Sequence, residues 1–211
     1  MLTASVSIRA PFPAQNTKMD SANGNFWEQR WKDNQTGWDI SQVSPPLKDY
    51  IDTIPDKNVA ILIPGCGNAY EAEYLLNKGF KNVTLIDIAP TLVKKLQAKF
   101  SGKPIKIVLG DFFKHKDKCD LILEQTFFCA INPSLRKQYV ETAYNLLNAK
   151  GKIAGLLFNT LFEKEGPPYG GTREEYITLF SPKFKLIQFD VCKNSIEPRK
   201  GNELFIELEK K

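Results

Sequence analysis

Residues 58–68 read NVAILIPGCGN: an apolar run opened by Asn58, then a proline and two glycines flanking a cysteine. A short continuous apolar run bounded by turn residues is the pattern of a strand buried on both faces of a parallel sheet. The text that follows predicts a helix over residues 69–78, closed by Gly79. Strand, glycine turn and helix form the first half of a βαβ unit, whose ligand sits beyond the carboxyl end of the strand. Gly65 and Gly67 free the backbone to approach a ligand at the helix N-terminus. The dinucleotide fingerprint GxGxxG is not met, because Tyr70 stands at the third glycine position.

Working outward, the alternation continues. Strands are expected over 83–87, 105–109, 120–124 and 152–158, with helices over 91–100 and 134–148 between them. The tail holds a helix over 173–180 and then strands over 185–192 and 203–209 with no helix between, which must pair antiparallel at the sheet edge. Upstream, the segment FWEQRWKDNQTGW predicts a short helix with Trp27 and Trp31 on one face, followed by Trp38. Pro45-Pro46 then open a second helix through Ile54. The expected class is α/β: a seven-stranded, mostly parallel, doubly wound sheet with a C-terminal antiparallel hairpin.

The chain has 211 residues, 42% of them apolar, and a formal net charge of +5. These values fit one globular domain over residues 19–211, with 56–211 as a Rossmann-like core, and a monomer is expected. Residues 1–18, with two basic and no acidic side chains, are expected to be a disordered leader. No stretch approaches the roughly 20 apolar residues of a membrane span. The charge is too mild and too dispersed to imply nucleic acid. Four widely spaced cysteines suit reduced thiols in the cytoplasm. The single histidine, His115, sits in a charged loop and leaves no expectation of a metal site.

Four successive strand ends carry polar equipment. Besides the glycine turn, Asp87 closes a strand twenty residues after Gly67, the spacing of a carboxylate that accepts from ribose hydroxyls; its bland role would be a helix N-cap. Asp111, followed by Phe112, can accept from an adenine amino group under an aromatic cover, or merely serve a turn. After the fourth strand comes Glu124-Gln125-Thr126-Phe127-Phe128, whose two phenylalanines cannot both face a pocket.

Seven strands with this terminal hairpin resemble class I S-adenosylmethionine-dependent methyltransferases. The motifs WEQRWKDNQTGWD, LIPGCGNAYE, LIDIAP, DLILEQTFFCAINPSLRKQY, GPPY and EPRKGNE resemble the thiopurine S-methyltransferase family, most of all its halide and thiol methyltransferase branch. The resemblance implies S-adenosyl-L-methionine as methyl donor, held by Trp27, Trp31, Trp38, Gly65, Gly67, Asp87, Asp111, Phe112 and Gln125. It implies that residues 19–55 form an aromatic lid, and that the acceptor is a small thiol, thiocyanate or halide with Arg136 and Arg199 beside it. Ser41, Gln125 and Glu124 depart from that branch, which more often has Gly, Tyr and Asp. The rival readings are a NAD-dependent oxidoreductase, a nucleic-acid methyltransferase, and a binding module of the same fold without activity.

Overall fold

In the central strands successive side chains point to opposite faces, and both faces are buried. Strand β1 (Ile61–Pro64) sends Ile61 and Ile63 to one side and Leu62 to the other. It lies parallel between β2 (Val83–Asp87) and β4 (Cys119–Gln125), with β3 (Ile105–Leu109) beyond β2. Strand β5 (Leu147–Phe158) continues parallel to β4. Strand β7 (Glu203–Lys210) runs antiparallel between β5 and the edge strand β6 (Phe184–Val191). The order is β3-β2-β1-β4-β5-β7-β6, as in the expected sheet with its terminal hairpin. Connections leave β1 toward β2 on one side while β4 lies on the other, so the switch point falls between β1 and β4. The computed structural model describes residues 24–163 and 165–211, and the expected leader at 1–18 lies outside the described residues.

Helices cover both faces. One carries α2 (Pro45–Asp52), α3 (Tyr70–Asn77) and α4 (Pro90–Lys99), which bury Leu47, Ile51, Leu75, Leu92 and Leu96 against Ile61, Leu85 and Leu123. The other carries α5 (Arg136–Leu146) and α6 (Arg173–Phe180), which bury Tyr139, Val140, Tyr176 and Phe180 against Leu62, Ile122 and Ile206. Fully burying one such side chain contributes about 1.5–3 kcal/mol, so both layers bind the sheet firmly. Helix α1 (Gly24–Lys32) lies over the cavity end of this stack, with Trp27 and Trp31 partly buried on the α2–α4 side.

The described bounds of β2, β3 and α6 match the expected ones. Strand β1 starts three residues later than expected, because the Ala60 N–H turns to the Asp120 side chain at 3.0 Å. The helix expected over 134–148 is shorter, since Leu147 is drawn extended into the sheet opposite Cys119. Among the described residues no helix is long and apolar enough to cross a membrane, and no acidic, histidine or cysteine group is arranged to hold a metal.

Candidate active site

A cavity of about 720 Å³ opens at the carboxyl ends of β1–β5, across the switch point. At its floor the turn after β1 carries two glycines with positive φ, 54° at Gly65 and 51° at Gly67. A Cβ on Gly65 would meet Phe127 Cδ2 at 2.4 Å, so this glycine admits the phenylalanine that follows β4. A Cβ on Gly67 would meet nothing within 4 Å, and it faces open cavity. One glycine serves packing; the other leaves room for a ligand.

Asp87 ends β2 at the cavity wall and accepts a 3.0 Å hydrogen bond from the Ala89 N–H. It is not the N-cap of α4, a position that Ala89 takes. Burial pushes its carboxyl up to about 6, against the pull of the Ala89, Ile88 and Gly67 N–H groups. Asp111 gives one oxygen to the Phe113 N–H at 2.9 Å, so the turn role is real, yet it also lines the cavity beside Phe112. Gln125 lines the cavity too, and its Oε1 is buried with no hydrogen-bond partner. A buried acceptor left unpaired costs about 1–3 kcal/mol. Of the two phenylalanines, Phe127 faces the cavity and Phe128 is core.

All three tryptophans form the roof. The Trp38 ring meets Trp27 and Trp31 edge-on at 5.5 and 5.9 Å. Polar contacts hold this roof at three places. Glu28 accepts from the Thr91 N–H at 2.9 Å and from its hydroxyl at 2.6 Å, tying α1 to the start of α4. Asp39 accepts from Asn68 Nδ2, and from the Tyr70 hydroxyl at 3.2 Å. Arg199 donates to the Trp38 carbonyl at 3.2 Å.

In the half of the cavity beyond β4 and β5 the wall carries Ile131, Leu135, Phe158, Phe162, Pro167 and Pro168, with Gln138 among them. Arg199 lines it, stacked 5.5 Å from the Phe158 ring and paired at 3.3 Å with the buried Glu203. Arg136 does not line it. Its guanidinium, 5% exposed, is paired with Glu175 at 2.8 Å and donates to the Gly170 carbonyl at 2.7 Å. The expectation that both arginines face the acceptor therefore divides: Arg136 gives both terminal nitrogens to protein groups behind the wall, while its Nε is buried without a hydrogen-bond partner. His115 stands apart, in a smaller cleft beside Phe113 and Lys118. Sequence reasoning missed Asp39, Tyr70 and the Phe158–Phe162 pair: Asp39 and Phe162 stand on loops that no local period marks, while Tyr70 opens α3 and Phe158 ends β5, where position in the fold and not periodicity brings them to the cavity.

A family model described as thiopurine S-methyltransferase matches residues 22–208. The chain belongs to the thiopurine S-methyltransferase family. Among its relatives is a probable thiol methyltransferase 2 of Arabidopsis thaliana, 30% identical over 192 residues, covering 88% of this chain and 84% of that protein. Another is thiocyanate methyltransferase 1 of Brassica oleracea, 28% identical, covering 84% and 81%. A thiopurine S-methyltransferase of Xanthomonas campestris is 27% identical, covering 79% and 85%. A solved structure with the same fold is the Burkholderia thailandensis 1,6-didemethyltoxoflavin-N1-methyltransferase with bound S-adenosylhomocysteine. Its TM-score is 0.70 at 17% identity, covering 96% of this chain and 93% of that one. This thiopurine S-methyltransferase family member is an S-adenosylmethionine-dependent methyltransferase. The chemistry of the cavity fits that donor: an open glycine position, the carboxylates Asp87 and Asp111, and the Gln125 amide all line it.

Proposed function

We propose that the enzyme methylates a small soft nucleophile, in first place a thiol with an apolar body. The supporting observation is the wall of Ile131, Leu135, Phe158, Phe162, Pro167 and Pro168 around an arginine already compensated by Glu203. A free halide or thiocyanate enters charged and gives up its hydration at that wall, whereas a thiol can enter neutral and ionise beside Arg199. An apolar thiol gains by burial instead, at about 25 cal/mol per Å².

When bound, the donor supplies a methyl group already activated on a sulfonium, so the chain's main task is alignment. Asp87 and Asp111 would hold the ribose and adenine, and the Gln125 amide would accept from the donor's ammonium group; that all three line the cavity supports these roles. The three tryptophans exclude water and present π faces to positive charge, worth about 0.5–2 kcal/mol. Holding nucleophile and methyl at contact can supply about 7–11 kcal/mol of the barrier. The thiolate is the attacking form, and Arg199 is the cation nearest that half of the cavity to favour it. The finer placement in the cytoplasm is supported by four free, buried cysteines.

Labelled donor offered with a panel of thiols, hydrosulfide, thiocyanate, iodide and thiopurines tests this reading. Aromatic and alkyl thiols should be turned over with kcat/KM at least tenfold above iodide. Transfer to nucleic acid or protein alone, or to iodide in preference to every thiol, would overturn it.

A further inference from the structure

We infer that Arg136 is a positioning residue that fixes the acceptor wall through backbone carbonyls, rather than a charge offered to the acceptor. The inference rests on the proposed thiol reading for its kinetic consequences, but its geometry is independent of that reading. Arg136 opens α5, and the guanidinium lies 5.0 Å from the Phe128 ring and 5.5 Å from that of Tyr176. One terminal nitrogen holds Glu175 at 2.8 Å; the other reaches the carbonyls of Gly170 at 2.7 Å and Tyr169 at 3.4 Å. These two carbonyls belong to the segment whose upstream residues Pro167 and Pro168 line the cavity. The same segment is tied from its other side. Tyr169 N–H donates to the Cys129 carbonyl at 2.7 Å, and Gly171 N–H to the Thr160 carbonyl at 2.9 Å.

The wall is thus a non-regular stretch laced to three places: the loop after β4, the end of β5, and the start of α5. A planar fork suits this task, because it spans two carbonyls and a carboxylate at fixed angles while lying against the Phe128 and Tyr176 rings. A lysine keeps the charge and loses the fork. That difference separates the two possible roles. If Arg136 acted on the acceptor by charge, Arg136→Lys would restore much of the activity, and the defect would fade where the thiol ionises unaided. If it acts by holding the wall, lysine rescues little and the defect is the same on both sides of the thiol's pKa.

The test uses the full chain with thiophenol as acceptor across pH ~6–9, together with limited cleavage by a glutamate-specific protease. Arg136→Lys and Arg136→Ala should each raise the thiophenol KM about tenfold at every pH, with donor affinity by calorimetry unchanged. Both should speed cleavage at the exposed Glu163 and Glu165 several-fold, a readout that needs no turnover. Glu175→Ala, which removes one partner at a half-exposed position, should give a smaller change in the same direction. Lysine restoring KM to within twofold of wild type, or a defect that vanishes above the thiol's pKa, would overturn the inference. So would unchanged cleavage in folded Arg136→Lys protein. Failure of the wild-type enzyme to methylate any thiol would count against the proposed function alone, and the cleavage arm would still decide the role of Arg136.

Discussion

At the scale of the residue, Asp87 shows how a binding group is held against the interest of stability. Its carboxyl is raised to about 6 by burial, so the fold favours the protonated form. The stabilising contribution of that proton is complete below the unfolded value near 3.8, and is lost as pH rises through about 6. At neutral pH the donor-free enzyme therefore carries an ionised side chain that the fold disfavours by about 1–2 kcal/mol, after allowance for its partial exposure. Asp87→Asn keeps an acceptor for the Ala89 N–H and cannot ionise. It should melt above wild type at pH 7, with the gap closing toward pH 4. The same change should weaken S-adenosylhomocysteine by about 1.5–3 kcal/mol, because ribose hydroxyls donate better to a carboxylate than to an amide. Wild-type affinity should fall as pH drops below about 6, while that of the variant stays flat. Calorimetry with paired thermal melts checks both signs, and a folded variant of unchanged affinity would remove Asp87 from the donor site.

At the scale of the element, α1 is a roof whose position depends on a carboxylate at another helix's N-terminus. Glu28 accepts from both the N–H and the hydroxyl of Thr91 in the first turn of α4, and these bonds hold its own pKa below the usual carboxylate range. Replacing such a cap costs about 0.5–2 kcal/mol, and here the cost falls on roof closure. Since all three tryptophans line the cavity, their emission reports that closure directly. Glu28→Ala should shift the donor-free emission to the red and weaken S-adenosylhomocysteine about three- to tenfold. An unchanged spectrum and affinity would mean that ring packing alone seats the helix. The elements themselves were legible where pattern and packing agree: the apolar runs of β2 and β3, and α6, behind a Thr172 side chain that accepts from the Glu175 N–H. They were misread where a distant partner decides. Leu147 reads as one more helical residue, and leaves the helix because β4 offers its backbone a ladder and the core buries its side chain. Arg136, which the resemblance put beside the acceptor, turns away from it for the same reason: its carbonyl partners lie 33 and 34 positions away.

At the scale of the whole molecule, the sheet order divides the cavity into two jobs. The ends of β1, β2 and β3 supply the glycine turn, Asp87 and Asp111, which spacing along the chain announced. The wall beyond β4 and β5 draws on the loops after those strands and on the turn before β7. Its composition emerges only once β7 has inserted beside β5. Arg199 sits at that junction with two duties, and they can be separated. Its pair with Glu203 is buried, with the side chains 12% and 3% exposed, so Arg199→Ala strands a carboxylate and should cost about 3–5 kcal/mol of stability. Arg199→Met combined with Glu203→Leu removes both charges. It should recover most of that loss, since a buried pair replaced by apolar groups of similar size is often neutral. Thiol turnover should behave differently. If Arg199 favours the thiolate in the cavity, both variants stay slow, by roughly tenfold or more near neutral pH, and both gain rate as pH rises toward the thiol's own pKa. Donor affinity should change far less than turnover, because the loss of the Trp38 carbonyl contact touches one of three roof ties. Thermal melts and pH–rate profiles on the two variants decide the matter. A double variant that regains both its melting temperature and its thiol turnover to within about twofold would reduce Arg199 to a partner for Glu203, and leave the cavity without a cation assigned to its acceptor.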